Sequence, residues 1–213
     1  MEQVKSINVF EDKAFIWQLE NSMMPKIGYE KQKLIISDHN ECDKKVYAKL
    51  TEIRDNINDF VKSGKSIYIC GDVVGNGKTS WAVKLLQQYL YNTRKNAYFD
   101  EVVTGLFISV PELIANLKDF TTKSAKKYME YVKANIERVK LIIWDDFALE
   151  ETSSYDRLQL YVFLNNRILN KQASIFTSNI VEPKDLDKIV GARIKSRSYD
   201  VSEIITLNGK GAR

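Results

Sequence analysis

The stretch SIYICGDVVGNGKTSWAVKLLQQYL, residues 66–90, constrains the chain more than any other. An apolar run of strand length leads into a glycine-bearing turn, and Trp81, Leu85 and Tyr89 then recur at helical spacing. The reading is strand, loop and amphipathic helix in immediate succession. The loop approaches the phosphate-binding pattern G-x-x-x-x-G-K-[ST], with one glycine out of place. Counting back from Gly77-Lys78-Thr79 puts Asp72 at the outer glycine position, and Gly71 stands one residue earlier.

Such loops work because consecutive backbone N–H groups converge on an anion at a helix N-terminus, while a lysine reaches the outer phosphates and a hydroxyl holds magnesium. Gly75 and Gly77 supply the backbone freedom, Lys78 the charge and Thr79 the hydroxyl. A loop one residue longer, starting at Gly71, can make the same turn, with Asp72 expected to point outward. Gly71, Asp72, Val73, Val74, Gly75, Asn76, Gly77, Lys78, Thr79 and Ser80 are therefore the expected contacts for ATP or ADP. Thr79 doubles as an expected ligand of Mg2+.

Strands and helices alternate along the rest of the chain, the pattern of a parallel sheet with right-handed crossovers. Strands are expected at 65–71, 105–110, 139–146, 173–179 and 201–209, with helices over 79–92, 111–120, 154–171 and 182–198, the last broken near Gly191. Before residue 63, two further helices are expected at 11–20 and 43–61. The predicted organisation is an N-terminal arm, residues 1–62, followed by an α/β domain, residues 63–213, with a five-stranded parallel sheet.

The run LIIWDDF places Asp145 and Asp146 at the carboxyl end of a fully apolar strand. There Asp145 can coordinate magnesium and Asp146 can polarise an attacking water; adjacent acids at a strand end can also cap a helix. SIFTSN then ends in Asn179, placed to hold water and the γ-phosphate from a neighbouring strand end. With His39 the one histidine, and Cys42 and Cys70 in no metal-ligand spacing, zinc centres and histidine triads have no material. Hydrolysis has to rest on carboxylates and a metal.

The net charge is +4, and the segment from Lys118 to Lys140 accounts for it: Lys118, Lys123, Lys126, Lys127, Lys133, Arg138 and Lys140 against Asp119, Glu130 and Glu137. Lys123, Lys126 and Lys127, with Tyr128 and Tyr131 interleaved, suit a single-stranded DNA backbone and its bases. They equally suit the solvated face of an amphipathic helix. No run approaches the roughly 18 apolar residues of a membrane span and no leader pattern opens the chain, so a cytoplasmic location is expected.

Taken together, GNGKTS, LIIWDDF, NNRILNKQASIFTSN and GARIKSRSYDVSEIITLNGKGAR resemble the ATPase core of bacterial and phage DnaC/DnaI-type replicative helicase loaders, AAA+ proteins related to DnaA and to the IstB transposition helpers. The resemblance spans about residues 63–213. It implies a three-layer AAA+ core acting in DNA replication, ATP- and magnesium-dependent homo-oligomers, and engagement of a replicative helicase and single-stranded DNA. It also implies an arginine that reaches a neighbour's nucleotide: Arg197 in RIKSRS, with Arg193 the close alternative. The loop is longer than the family's usual form, and Asp146 stands where most such enzymes carry glutamate, so slow turnover is expected. No C-terminal lid is expected after ITLNGKGAR. In the arm, Phe10, Phe15, Ile16, Trp17 and Leu19 read either as an apolar anchor for the helicase or as residues that pack on the core. An IstB-like helper, a P-loop nucleotide kinase and a non-hydrolysing adaptor are the alternatives.

Overall fold

The computed structural model describes residues 13–25, 41–119, 121–148 and 153–209. Its five strands, β1 (Ser66–Cys70), β2 (Gly105–Ser109), β3 (Leu141–Asp145), β4 (Ala173–Ser178) and β5 (Ser202–Thr206), form one sheet in the order β2-β3-β4-β1-β5. Every pairing is parallel. The helices are α1 (Lys13–Asn21), α2 (Glu41–Asp55), α3 (Ile57–Ser63), α4 (Lys78–Phe99), α5 (Val110–Lys118), α6 (Lys123–Asn135), α7 (Ser154–Leu169), α8 (Pro183–Val190) and α9 (Ala192–Ser198).

Two apolar cores follow from strand alternation. Ile67, Ile69, Phe107, Leu141, Ile143 and Ile175 face α1 to α4, while Tyr68, Leu106, Ile108, Ile142, Trp144 and Phe176 face α5 to α9. β3 and β4 lie inside the sheet with both faces covered and are buried along their whole length, β3 apolar up to Asp145 and β4 carrying Ser174, Thr177 and Ser178 among its apolar residues. The result is the expected three-layer α/β architecture. Among the described residues no helix is long and apolar enough to cross a membrane.

The expected helix over 43–61 is two helices. Asn56 interrupts it at φ −111° and ψ 29°, and its side-chain amide donates to Glu52 O at 3.0 Å, a local bond that competes with the helix ladder. Gly64, at φ 68°, then closes α3 in the left-handed conformation. The break expected near Gly191 is present, between α8 and α9.

Helix α1 packs on the first core. Phe15 and Leu19 of α1 are buried in the first core, and Phe15 meets Tyr91 edge-on, the ring centroids 5.4 Å apart. Gln18 donates to Val102 O at 2.9 Å and accepts from Thr104 N at 3.1 Å, and Ser22 O accepts Phe107 N–H at 2.8 Å, capping the outer edge of β2. Ile16 and Trp17 are half-buried. Phe10, His39 and the side chain of Cys42 lie outside the described residues. Cys70 is a buried free thiol, raised in pKa by that burial.

Candidate nucleotide site

β1 lies between β4 and β5, with β2 and β3 beyond β4, so the chain leaves β1 toward one side of the sheet and returns to its other side last. The carboxyl ends of the strands around such a reversal open a crevice for ligands. The loops that follow β1, β3 and β4 meet there.

After Cys70 the chain turns at Gly71, where no side chain fits. A Cβ would stand 2.3 Å from Leu207 O and 2.5 Å from Asn76 Nδ2. The displaced glycine is therefore needed where it is, because the end of β5 crosses over it. Asp72 is exposed, as expected. Gly75 and Gly77 have φ of 81° and 97°, the left-handed region in which glycine is unstrained. Gly77 O accepts Trp81 N–H at 2.9 Å as α4 starts.

Lys78 is 7% exposed and its ammonium is held by the loop itself, donating to Gly71 O at 2.9 Å, Val73 O at 3.1 Å and Asn76 Oδ1 at 3.0 Å. Burial pushes its pKa down; the nearby Asp146 carboxylate is the first charge opposing this. Asn76 also donates to Leu207 O at 3.0 Å, fastening the loop to the last strand. Three oxygen acceptors around one ammonium are the coordination that phosphate oxygens can replace.

Across the crevice, Thr79 Oγ1 donates to Asp145 Oδ1 at 2.8 Å, and Thr177 Oγ1 donates to the same oxygen at 2.6 Å. Asp145 is 7% exposed, and burial raises its pKa against the pull of the Thr177 and Thr79 hydroxyls. Asp146 is exposed, with φ 52°, and its N–H is accepted by Thr177 Oγ1 at 3.1 Å. Asn179 is exposed one residue beyond the Cys70–Ser178 pair of the β1–β4 ladder, level with Gly71. Loop, lysine, threonine, both acids and Asn179 are thus gathered at one edge. A hydroxyl and a carboxylate within bonding distance are hard oxygen donors of the kind magnesium takes, so the residues present fit an Mg2+–nucleotide.

The other expected residues lie apart. Arg197 donates through Nε to Asn165 Oδ1 at 3.0 Å and lies over the Tyr161 ring at 5.9 Å, both on α7. Arg193 is exposed and lines a cavity of about 440 Å³ with Arg157, Leu158, Tyr161 and Gly191. Neither guanidinium bonds to the phosphate loop or the acids of its own chain among the described residues. On α6, Lys123, Lys126 and Lys127 are exposed. Tyr128 is half-buried, its ring packed against the second core and its hydroxyl buried. Tyr131 is turned inward too, donating to Asn21 O. The residue that sequence reasoning missed is Thr177; it is one of three buried hydroxyls in β4, with Ser174 and Ser178, so nothing in the sequence singled it out.

No protein-family model and no curated protein sequence matches the chain. Solved structures do. A DnaC helicase loader superposes with a TM-score of 0.61 at 21% identity, over 79% of this chain and 92% of the other. DnaI gives 0.63 at 22%, over 92% of this chain and all of the other. The fold is that of an AAA+ P-loop core. The replication initiator DnaA bound to AMPPCP and single-stranded DNA matches at 0.57 and 19%, over 79% of this chain and 47% of its own. At these identities the likeness is one of fold.

Proposed function

We propose that the protein is an ATPase that binds ATP with Mg2+ in the crevice above β1, β3 and β4, hydrolyses it slowly, and serves as the motor core of a helicase loader on single-stranded DNA. The observation that carries this reading is the 2.8 Å bond between Thr79 and Asp145, which joins the phosphate loop to the acid-bearing strand. The DnaA of the same fold, bound to AMPPCP and single-stranded DNA, supports the choice of ligands.

In this reading the backbone N–H groups of residues 75–79 and the N-terminus of α4 receive the phosphates. Lys78 exchanges its three loop acceptors for β- and γ-phosphate oxygens. Thr79 and Asp145 hold the magnesium, which when bound neutralises charge on the phosphates and orients them. Asp146 takes up a proton from the attacking water. Asn179 orients that water and the γ-phosphate from the next strand end. Aspartate is shorter than glutamate and holds the water less firmly, hence the slow turnover. Subunits assemble so that an α9 arginine of one approaches the nucleotide of the next, and the exposed lysines of α6 follow the DNA backbone.

Lys78→Ala is expected to abolish binding of a fluorescent ATP analogue, because it removes the side-chain cation of the phosphate loop. Asp146→Asn is expected to bind the analogue normally and lose turnover. Wild-type affinity in Lys78→Ala would sink the reading. A steady-state ATPase assay with and without single-stranded DNA then separates a loader from an adaptor that only binds ATP.

A further inference from the structure

Both acids of the site are held by one hydroxyl. Thr177 is 1% exposed in β4, one residue beyond the Trp144–Phe176 pair of the β3–β4 ladder. Its Oγ1 donates to Asp145 Oδ1 at 2.6 Å and accepts Asp146 N–H at 3.1 Å, while its carbonyl accepts Phe147 N–H at 2.8 Å. A hydroxyl carries one proton, and with the amide supplying the incoming bond that proton is committed to the carboxylate. Thr79 donates to the same Oδ1. Two hydroxyl donors on one oxygen set the plane of the carboxylate, and both fall on Oδ1, not Oδ2.

The second bond acts on the backbone. Asp146 sits at φ 52°, a left-handed conformation that strains a residue with a side chain and persists where neighbours enforce it. The Thr177 bonds to Asp146 N and Phe147 N are that enforcement. They set the direction in which the Asp146 side chain leaves the end of β3.

We propose that Thr177 is a positioning residue for this site, fixing the Asp145 carboxylate so that Oδ2 is left for a divalent cation and fixing the turn that aims Asp146. The inference rests on the ATP and Mg2+ reading given above. Sequence position alone would class this side chain as packing, and a valine would pack as well. The distinction lies in the hydroxyl.

The test titrates Mg2+ into the full-length protein in the presence of a fluorescent, non-hydrolysable ATP analogue, a readout independent of turnover. Thr177→Val keeps the branched shape and removes both hydroxyl bonds. It is expected to bind the analogue without Mg2+ within about twofold of wild type and to need about 10- to 100-fold more Mg2+ for half-maximal enhancement, the usual effect of losing an outer-shell partner. Thr177→Ser, which restores the hydroxyl, is expected to return the Mg2+ requirement to near wild type. A serine variant that behaves like the valine variant overturns the proposal, because the methyl would then be the feature that matters. Thr177→Cys, close in volume with a weak donor, is measured alongside and replaces the valine variant if circular dichroism shows that one unfolded. An Mg2+ requirement unchanged in whichever of the two folds overturns the proposal. Lys78→Ala, measured in parallel, separates the two levels: if it keeps wild-type affinity, the nucleotide reading falls. If it loses binding while the Thr177 variants behave like wild type, only the positioning role falls.

Discussion

Arg167 has a role that no local reading of NNRILNK supplies. Its guanidinium, 2% exposed, pairs with no carboxylate among the described residues and sits in a cage of oxygens: Ile136 O at 3.0 Å, Val139 O at 3.1 Å, Lys140 O at 3.3 Å, Ala173 O at 2.6 Å and Ser174 Oγ at 3.2 Å. Burial lowers its pKa to about 9. The cage ties the end of α7 to the segment before β3 and to the start of β4, so it fixes the strands whose far ends carry Asp145 and Asn179. Arg167→Leu removes every donor and leaves buried carbonyls facing a hydrocarbon. We expect a loss of about 3 kcal/mol or more in denaturant unfolding. Arg167→Lys should recover little of it, since an ammonium cannot span both sides of the planar fork. Helical spacing did offer a clue: Asp156, Leu160, Leu164 and Arg167 form the buried face of α7, so the arginine follows the apolar stripe. By contrast the placement of Lys78, Thr79 and Asp145 was legible directly, because an apolar strand leading into a glycine-bearing turn and a helix, and a second apolar strand ending in acids, both show in the sequence.

Helices show where linear reading fails. In α6 the tyrosines alternate with lysines along the chain, which suggested one mixed surface, yet the winding separates them. Ala125, Met129 and Val132 face the core and draw Tyr128 and Tyr131 in beside them, while Lys123, Lys126, Lys127 and Lys133 stay outside. Thr122 caps the helix, accepting Ala125 N–H at 3.3 Å, so the boundary as well as the rotation is set by local sequence. If the lysines follow a DNA backbone, replacing Lys123, Lys126 and Lys127 with alanine should weaken single-stranded DNA binding and flatten its dependence on salt, by up to ~0.7 in log–log slope per lost phosphate contact. An unchanged slope assigns them to the solvated face. Tyr128→Ala should instead lower stability, because its half-buried ring is part of the packing. Most strands were placed closely from the sequence, but α4 runs to Phe99, well past the expected end at residue 92, α6 had no expected bounds, and the break at Asn56 turns on a side-chain bond to Glu52 O that periodicity does not report.

At the scale of the whole molecule, the strand ends were legible but their order was not, since β4 lies between β1 and β3 through pairings far apart in sequence. That order brings Gly71, Asp145 and Asn179 together and leaves the arginines of α9 elsewhere, Arg197 engaged with Asn165 and Tyr161 of its own chain and Arg193 exposed. A site completed by a second copy makes a demand that no single-chain site makes. Arg197→Ala should bind ATP and hydrolyse it poorly, by on the order of 10³ to 10⁵ if the side chain acts as fingers do in other P-loop enzymes. Asp146→Asn should be inactive for a different reason, its own crevice lacking the acid while its arginine is intact. Mixed at concentrations that support assembly, the two inactive proteins form some interfaces in which the intact crevice of an Arg197→Ala subunit meets the intact arginine of an Asp146→Asn subunit. Those interfaces should turn over ATP, and the recovered rate should peak near equal proportions. Recovery with Arg193→Ala in place of Arg197→Ala, and none with Arg197→Ala, would move the role to the exposed arginine. If neither mixture recovers activity while light scattering shows that the subunits co-assemble, each crevice works with residues of its own chain and the shared site is wrong.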